Sequence, residues 1–408
     1  MNLVNGKLLT TNECDGVLDD LERRILTTLE RERLDPEMVI AACHRLATRF
    51  DEARYLALAP PQMPRAQMLR YITEAQGMFR ADVLRTRLRL ELGDNYTQCV
   101  APLGTLLHIA AGNVDGLPAF SVVEGLLTGN INILKLPAED GGLSVELLSD
   151  LIHAEPKLAE YIYVFDYSSR DFTHITKLLA VADAVVVWGG DEAVSALRTR
   201  VKPNIKLIEW GHKVSFGYVT PSGLTDAGLA GLAQNMAETA QVLCSAAQGL
   251  FLDTNDMDEV YNLCERFLPH LEREVAVIST IGTSAQATLE LYTASLIPTP
   301  RQRAFRGCGC GIIASDNSYV ESARAPYVPW IKPLPRQEIL RALHPYKNHL
   351  QTVGLLCRDD ERRVLAPLFF KTGVVRITAG ERMSRPQPNT PHDGEYPLRR
   401  YVKFTSLD

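Results

Sequence analysis

The sequence predicts an α/β fold with two parallel-sheet domains behind a helical N-terminal region. Two observations carry this. From about residue 100 to residue 208, short β-like runs alternate with helical stretches, the pattern of βαβ units on a parallel sheet. A second β-and-helix set begins at Val214–Val219. The length, 408 residues, suits two or three domains.

Residues 15 to 90 read as helices. Leu18, Leu21, Ile25 and Leu29 recur at helical spacing with charges between them. Asp35-Pro36-Glu37 reads as an N-cap followed by a first-turn proline. Pro60-Pro61 and Pro64 break the next helix. Arg80 to Arg89 is Arg-rich and amphipathic, which reads as a solvated face.

The first α/β set places strands at Thr105–Ile109, Asn132–Leu136, Tyr161–Phe165, Ala184–Trp188 and Ile205–Ile208. Helices fall between them at 117–128, 144–153, 171–180 and 191–200. Parallel sheets bind ligands in the loops beyond the carboxyl ends of their strands. Three such loops matter: the one around Asn113, the one after Lys135, and Trp188-Gly189-Gly190. In the second set, helical 225–241 leads into Cys244 and strand-like Leu250–Leu252. Helical 257–270 and 285–296, strand-like Gly311–Ala314, a proline-rich stretch at 326–335, helical 336–343 and strand-like Gln351–Leu356 follow. The tail holds strand-like Val374–Ile377 and Arg399–Phe404 around a polar, proline-rich loop. The expected division is a helical region over 1–95, a first α/β domain over 96–213, a second over 214–372 containing Cys244, and a C-terminal return segment over 373–408.

Composition narrows the function. Hydrophobic content is 46% and charged content 23%, ordinary for a soluble globular chain. A net charge of −6 argues against a basic nucleic-acid face. No apolar run reaches the roughly 18 residues of a membrane span, and the first residues lack the charged start and apolar core of a signal peptide. A cytoplasmic protein is expected. The 8 cysteines are scattered, as in a reduced cytosolic chain. Cys308-Gly309-Cys310 has one spacer and no second pair near it, so no metal site is expected.

Three residue types in order suggest chemistry at a carbonyl: Asn113, Glu209 and Cys244. A thiol can attack, an amide can hold an oxyanion and a carboxylate can move a proton. Each has a plainer reading. A thiol between a helix and a strand is usually a buried apolar group, a carboxylate at a strand end a salt-bridge partner, and Asn after Gly a turn residue. His212 reads as a loop histidine, and Lys135 as a lysine that snorkels to solvent. Gly189-Gly190-Asp191 opens a helix and permits close approach of a pyrophosphate, although no full Gly-x-Gly-x-x-Gly is present.

From about residue 95 onward the chain resembles the aldehyde dehydrogenase superfamily. Within it, the chain is similar to the long-chain acyl-CoA reductase family, the reductase component of the bacterial luminescence fatty acid reductase. The resemblance rests on Gly104…His108-Ile109-Ala110-Ala111-Gly112-Asn113-Val114, on Gly125-Leu126-Leu127-Thr128-Gly129-Asn130 with Lys135, and on Cys244-Ser245 with Gln248. Leu350-Gln351-Thr352-Val353-Gly354 and His392-Asp393-Gly394…Pro397-Leu398 point specifically to the reductases.

The resemblance implies an aldehyde dehydrogenase-like fold, with Cys244 as acyl-accepting cysteine, Asn113 as oxyanion amide and Glu209 as acid/base. It implies cofactor contacts at Lys135, Gly189, Gly190 and His108. It implies reduction of a long-chain fatty acyl thioester to the aldehyde through an acyl-cysteine. The acyl donor would be acyl-CoA, an acyl carrier or a partner acyl-protein synthetase. The family favours NADPH, with NADH possible. The position after Lys135 is Leu136, and the ribose-binding glutamate of strict NAD enzymes would fall at Ala138 or Glu139. The usual second glycine after Glu209 is His212. The superfamily pairs subunits through a strand near the C-terminus, so Arg399–Phe404 is the expected oligomerisation strand of a dimer or tetramer. The alternatives are an aldehyde-oxidising dehydrogenase, an acyl transferase or hydrolase without hydride transfer, and a non-catalytic scaffold for an acyl-activating partner.

Overall fold

A computed structural model of the chain describes residues 1–31, 33–58, 65–110, 116–138, 140–296, 301–385 and 389–406. The chain divides into two compact units, one of residues 1–60, 68–211 and 387–408, the other centred on 212–386. Among the described residues no helix is long and apolar enough to cross a membrane.

The first unit contains β1 (Asn2–Val4), β2 (Lys7–Leu9), β3 (Val100–Pro102), β4 (Thr105–Ile109), β5 (Ile131–Lys135), β6 (Ile162–Phe165), β7 (Ala184–Trp188) and β8 (Lys206–Trp210). Seven of these form one sheet in the order β2-β1-β6-β5-β4-β7-β8. The run from β6 to β8 is parallel. Its central strands are mostly apolar because both faces are covered, and Leu106, Ile133, Val164 and Val186 are fully buried. The register lines up Ile109, Lys135 and Phe165. The carboxyl ends of β4, β5 and β6 therefore form one rim.

The N-terminal region departs from the all-helical expectation. β1 and β2 form an antiparallel hairpin joined by Asn5 (φ 50°) and Gly6 (φ 71°), and β1 extends the sheet beside β6. Three-residue strands carry too little alternation to be seen, but Asn-Gly between apolar residues is the signature of such a two-residue turn. Asp35 caps the helix Pro36–Thr48 as expected, accepting the Glu37 N–H at 2.9 Å. The solvated reading of Arg80 to Arg89 fails at Arg87. That guanidinium is inside the unit, bonded to Glu91 at 2.7 Å and to Glu124.

The second unit contains β9 (Val214–Val219), β10 (Ala247–Leu252), β11 (Gln302–Arg306), β12 (Gly311–Ser315), β13 (Trp330–Pro333), β14 (Leu350–Leu356) and β15 (Arg376–Thr378). Their order is β11-β12-β13-β10-β9-β14-β15, with only β11 antiparallel. β13 lies in the stretch read from the sequence only as proline-rich. Its proline, Pro333, is the last residue of the strand, where it does not interrupt the ladder. The helix Met257–Ile278 runs past its expected end, through Pro269.

The chain then returns to the first unit. Residues Pro397–Arg400 form a short helix and β16 (Val402–Phe404) pairs antiparallel with β3. The expected strand Arg399–Phe404 thus begins in the helix, and only Val402–Phe404 is strand. Its start is tied down where Glu91 accepts the Leu398 N–H at 2.8 Å.

Candidate functional site

In the first unit, the loops at the carboxyl rim hold most of the residues singled out in the sequence. Lys135 is the last residue of β5, and its buried Nζ donates to the Ser169 hydroxyl at 2.6 Å. Gly189 and Gly190 follow β7, and Gly190 is the N-cap of the helix Asp191–Arg198. A side chain at Gly190 would meet nothing within 4 Å, so the backbone there is open to approach. The first turn of that helix carries Asp191 and Glu192. Two carboxylates make this end a poor seat for a pyrophosphate. An ammonium and a hydroxyl together, as at Lys135 and Ser169, suit ribose or phosphate oxygens.

Glu209 lies inside β8 rather than beyond it, because that strand runs two residues further than its apolar run suggests. The Arg198 guanidinium grips it with both branches, Nε to Oε1 and Nη2 to Oε2, each at 2.5 Å. Arg400 donates to the Glu209 carbonyl at 3.2 Å. The Arg198 hydrogen bonds hold the Glu209 carboxyl below its ordinary value. As it stands Glu209 is an ionised base, paired as the plainer reading supposed.

The tail segment His392-Asp393-Gly394 is a tight turn on this rim. His392 and Glu395 exchange backbone hydrogen bonds at 2.8 Å, with Asp393 (φ 49°) and Gly394 (φ 82°) between them. The His392 ring sits against Trp188 and Trp210, with centroids 5.3 Å and 5.2 Å away. The two indoles stack on each other at 5.3 Å.

His108 has the setting of a core histidine rather than that of a cofactor contact. It is fully buried, Nδ1 is 2.8 Å from the Ser121 hydroxyl and Nε2 3.0 Å from Asn132 Oδ1. Burial pushes its imidazole down to about 4, so it stays neutral at physiological pH. The residues that share its motif are structural too. A Cβ at Gly125 would lie 1.8 Å from Asn132 Oδ1. Asn130 accepts the Gly104 N–H at 3.0 Å and donates to the Tyr401 carbonyl at 3.0 Å. Gly104 needs its φ of +129°, and a Cβ there would strike Asp183. Asn113, Gly112 and Glu139 lie outside the described residues, while Ala138 is exposed.

In the second unit, Cys244 is exposed in the turn between the helix Asp226–Thr239 and β10. The turn begins with two successive left-handed residues, Ala240 (φ 46°) and Gln241 (φ 59°). Non-glycine residues adopt that conformation at a cost, and only where the surroundings insist. Here they do. The Gln241 amide donates to the Ala247 carbonyl at 2.9 Å, and Gln248 returns a bond to the Gln241 carbonyl at 2.8 Å. Asn235 accepts the Ala247 N–H at 3.0 Å. The Ser215 hydroxyl donates to the Cys244 carbonyl at 2.6 Å and accepts the Thr352 N–H at 3.0 Å. Gln351 Nε2 lies 3.2 Å from the Cys244 sulfur. Ser215, Gln241 and Gln351 have no place among the expected site residues. Ser215 and Gln351 had a readable signal, a polar residue in an otherwise apolar strand. Arg198 and Ser169 had none, since only folding brings them to Glu209 and Lys135.

The profile of the acyl-CoA reductase (LuxC) family matches residues 37–404. The chain belongs to that family. It is 25% identical over 330 residues to the long-chain acyl-protein thioester reductase of Vibrio harveyi, covering 78% of this chain and 66% of that protein. It is 23% identical over 326 residues to the Aliivibrio fischeri protein of the same name, again covering 78% and 66%. The alignments thus span just under two thirds of these relatives. Among solved structures, the chain is similar to the glyceraldehyde-3-phosphate dehydrogenase GapN of Methanocaldococcus jannaschii, complexed with NADP. The TM-score is 0.73 at 12% identity, over 98% of this chain and 94% of that one. An NADP-dependent enzyme of E. coli gives 0.74 at 16% identity, over 99% and 97%. The fold is aldehyde dehydrogenase-like, as the sequence resemblance implied.

Proposed function

We propose that this chain reduces a long-chain fatty acyl thioester to the fatty aldehyde with a nicotinamide cofactor. The observation that supports this most is the cradle around Cys244. A cysteine is held exposed at the end of a strained turn, with its carbonyl anchored by Ser215 and an amide N–H against its sulfur.

Cys244 as thiolate attacks the thioester carbonyl of an acyl-CoA or of a partner's acyl-protein. The Asn113 amide and the N–H of Cys244 or Ser245 hold the tetrahedral oxyanion. The thiolate of the donor departs, leaving the acyl group on Cys244. A nicotinamide cofactor held on the first unit's rim would supply the hydride that reduces the acyl group on Cys244. The resulting thiohemiacetal on Cys244 collapses to free aldehyde and restores the cysteine. The balance is one thioester, one NAD(P)H and one proton giving one aldehyde, one thiol and one NAD(P)⁺. Glu209 is the candidate to move protons or activate water, after exchanging its contact with Arg198. Lys135 with Ser169 would hold ribose or phosphate oxygens, and the Gly189-Gly190 backbone would lie against the cofactor. The Ala138 or Glu139 position leaves the choice between NADPH and NADH open, and the family resemblance favours NADPH. His108 supports the rim from inside the sheet.

The reading extends to a cytoplasmic homo-oligomer that takes acyl groups from an acyl-activating partner. β16 is the candidate subunit-pairing strand, having β3 on one side and no second neighbour among the described strands. The decisive assay is NADPH consumption, compared with NADH, with purified protein and myristoyl-CoA under aldehyde trapping. Thioester-dependent oxidation lost in Cys244→Ser supports the reading. Aldehyde oxidation without thioester reduction would replace it with an oxidative dehydrogenase.

A further inference from the structure

Gln351 is a polar side chain in a fully buried seven-residue strand, and it is itself only 5% exposed. Burying an amide costs free energy unless it is hydrogen-bonded, so its partners explain its presence. Its oxygen accepts the Thr352 hydroxyl at 3.3 Å, and its nitrogen lies 3.2 Å from the Cys244 sulfur. With its oxygen on the Thr352 hydroxyl, the amide presents its donor end to the sulfur. Ser215 holds the Cys244 backbone from the neighbouring strand and also receives the N–H of Thr352, the residue after Gln351. Sulfur and amide are therefore positioned by the same three-residue set.

We propose that Gln351 is a positioning residue that keeps Cys244 nucleophilic by donating a hydrogen bond to its thiolate. The inference deepens the function proposed above, since it rests on Cys244 being the acyl acceptor, and adds what maintains the sulfur in its reactive form. An N–H aimed at sulfur favours thiolate over thiol, which lowers the pH at which the cysteine reacts. Three charged or titratable groups flanking the cradle have partners elsewhere. Before β9, Lys213 Nζ donates to the Asn348 carbonyl at 2.7 Å. Before β14, His349 Nδ1 is 3.3 Å from the carbonyl of His212. At the end of the helix Asp226–Thr239, Glu238 pairs with Arg385 at 3.0 Å.

The test is the pH profile of Cys244 alkylation by iodoacetamide, followed by peptide mass. The full chain is used with the exposed Cys99 and Cys308 changed to serine. Gln351→Met keeps the side-chain volume and removes the donor. It should raise the midpoint by about one pH unit, with rates converging above both midpoints. Gln351→Glu, which puts an acceptor against the sulfur, should raise it further. An unchanged midpoint in folded Gln351→Met overturns the proposal. Should that variant not fold, Gln351→Glu and Thr352→Val decide in the same way: a raised midpoint supports the proposal and an unchanged one in both overturns it. The assay needs neither acyl donor nor nucleotide. A shifted midpoint in a chain that reduces no thioester would sink the proposed reaction and leave the role of Gln351 standing.

Discussion

The two sheets put their chemistry at opposite edges. In the first unit the residues of interest, Lys135, Gly189, Gly190 and Glu209, lie at the carboxyl ends of parallel strands. That is the usual place for a ligand on such a sheet. In the second unit Cys244 precedes β10, and Ser215 and Gln351 stand at the second positions of β9 and β14, so the candidate nucleophile sits at the amino edge. The carboxyl edge of that sheet is closed instead. Arg336 reaches Asp253 at 2.7 Å and Glu361 at 2.8 Å, and Glu361 also accepts from the Thr220 hydroxyl at 3.0 Å. A parallel sheet thus offers two edges, and the carboxyl-edge rule describes ligand seats that use helix N-termini. A nucleophile needs only a rigid turn and a donor, which either edge can provide.

The largest effect expected from breaking one edge alone is at Cys244. Cys244→Ala should abolish aldehyde formation, a loss of about three orders of magnitude or more, while nucleotide binding followed by fluorescence stays unchanged. Loss of both together would mean the edges are not separable functions. Asn113→Ala should leave a slow enzyme, down about 100-fold in kcat. On the first rim, Lys135→Met should raise the KM for nucleotide about ten- to 100-fold, without changing the alkylation of Cys244. An unchanged KM would remove Lys135 from the nucleotide site.

The closed edge should report itself in stability. Hydrogen bonds from Ser222 and Arg336 hold the Glu361 carboxyl down to about 2. A carboxyl depressed on folding contributes stability above its unfolded value, and that contribution is lost as pH falls from about 4.5 towards 2. Glu361→Gln should flatten the dependence of urea unfolding on pH across that window and leave thioester reduction intact. The smallest effect is at Arg198. Arg198→Met should let the Glu209 carboxyl rise, moving the acid limb of kcat/KM to higher pH. A fixed acid limb would show that Glu209 does not govern it.

The parallel strands and the α/β class were legible because strands buried on both faces are written as short apolar runs between amphipathic helices. The cap at Asp35 was legible because capping is local. β13 was hidden by prolines that fall at its end, and Arg87 by neighbours that are solvated. His108 shows a further limit: a motif can mark a buried hydrogen-bond lattice as easily as a ligand contact, and only its partners Ser121 and Asn132 distinguish the two.

By itself the amino-acid sequence determined the fold class, the family, the βαβ order of the first sheet and the candidacy of Cys244 as nucleophile. Those properties depend on local patterns and on residue type. Only the tertiary structure decided that Glu209 is clamped by Arg198, that His108 is sealed in the core and that Gln351 faces the sulfur of Cys244 across 107 positions of chain. Each is a hydrogen bond of a few ångströms between residues whose separation along the chain carries no information about their distance in space.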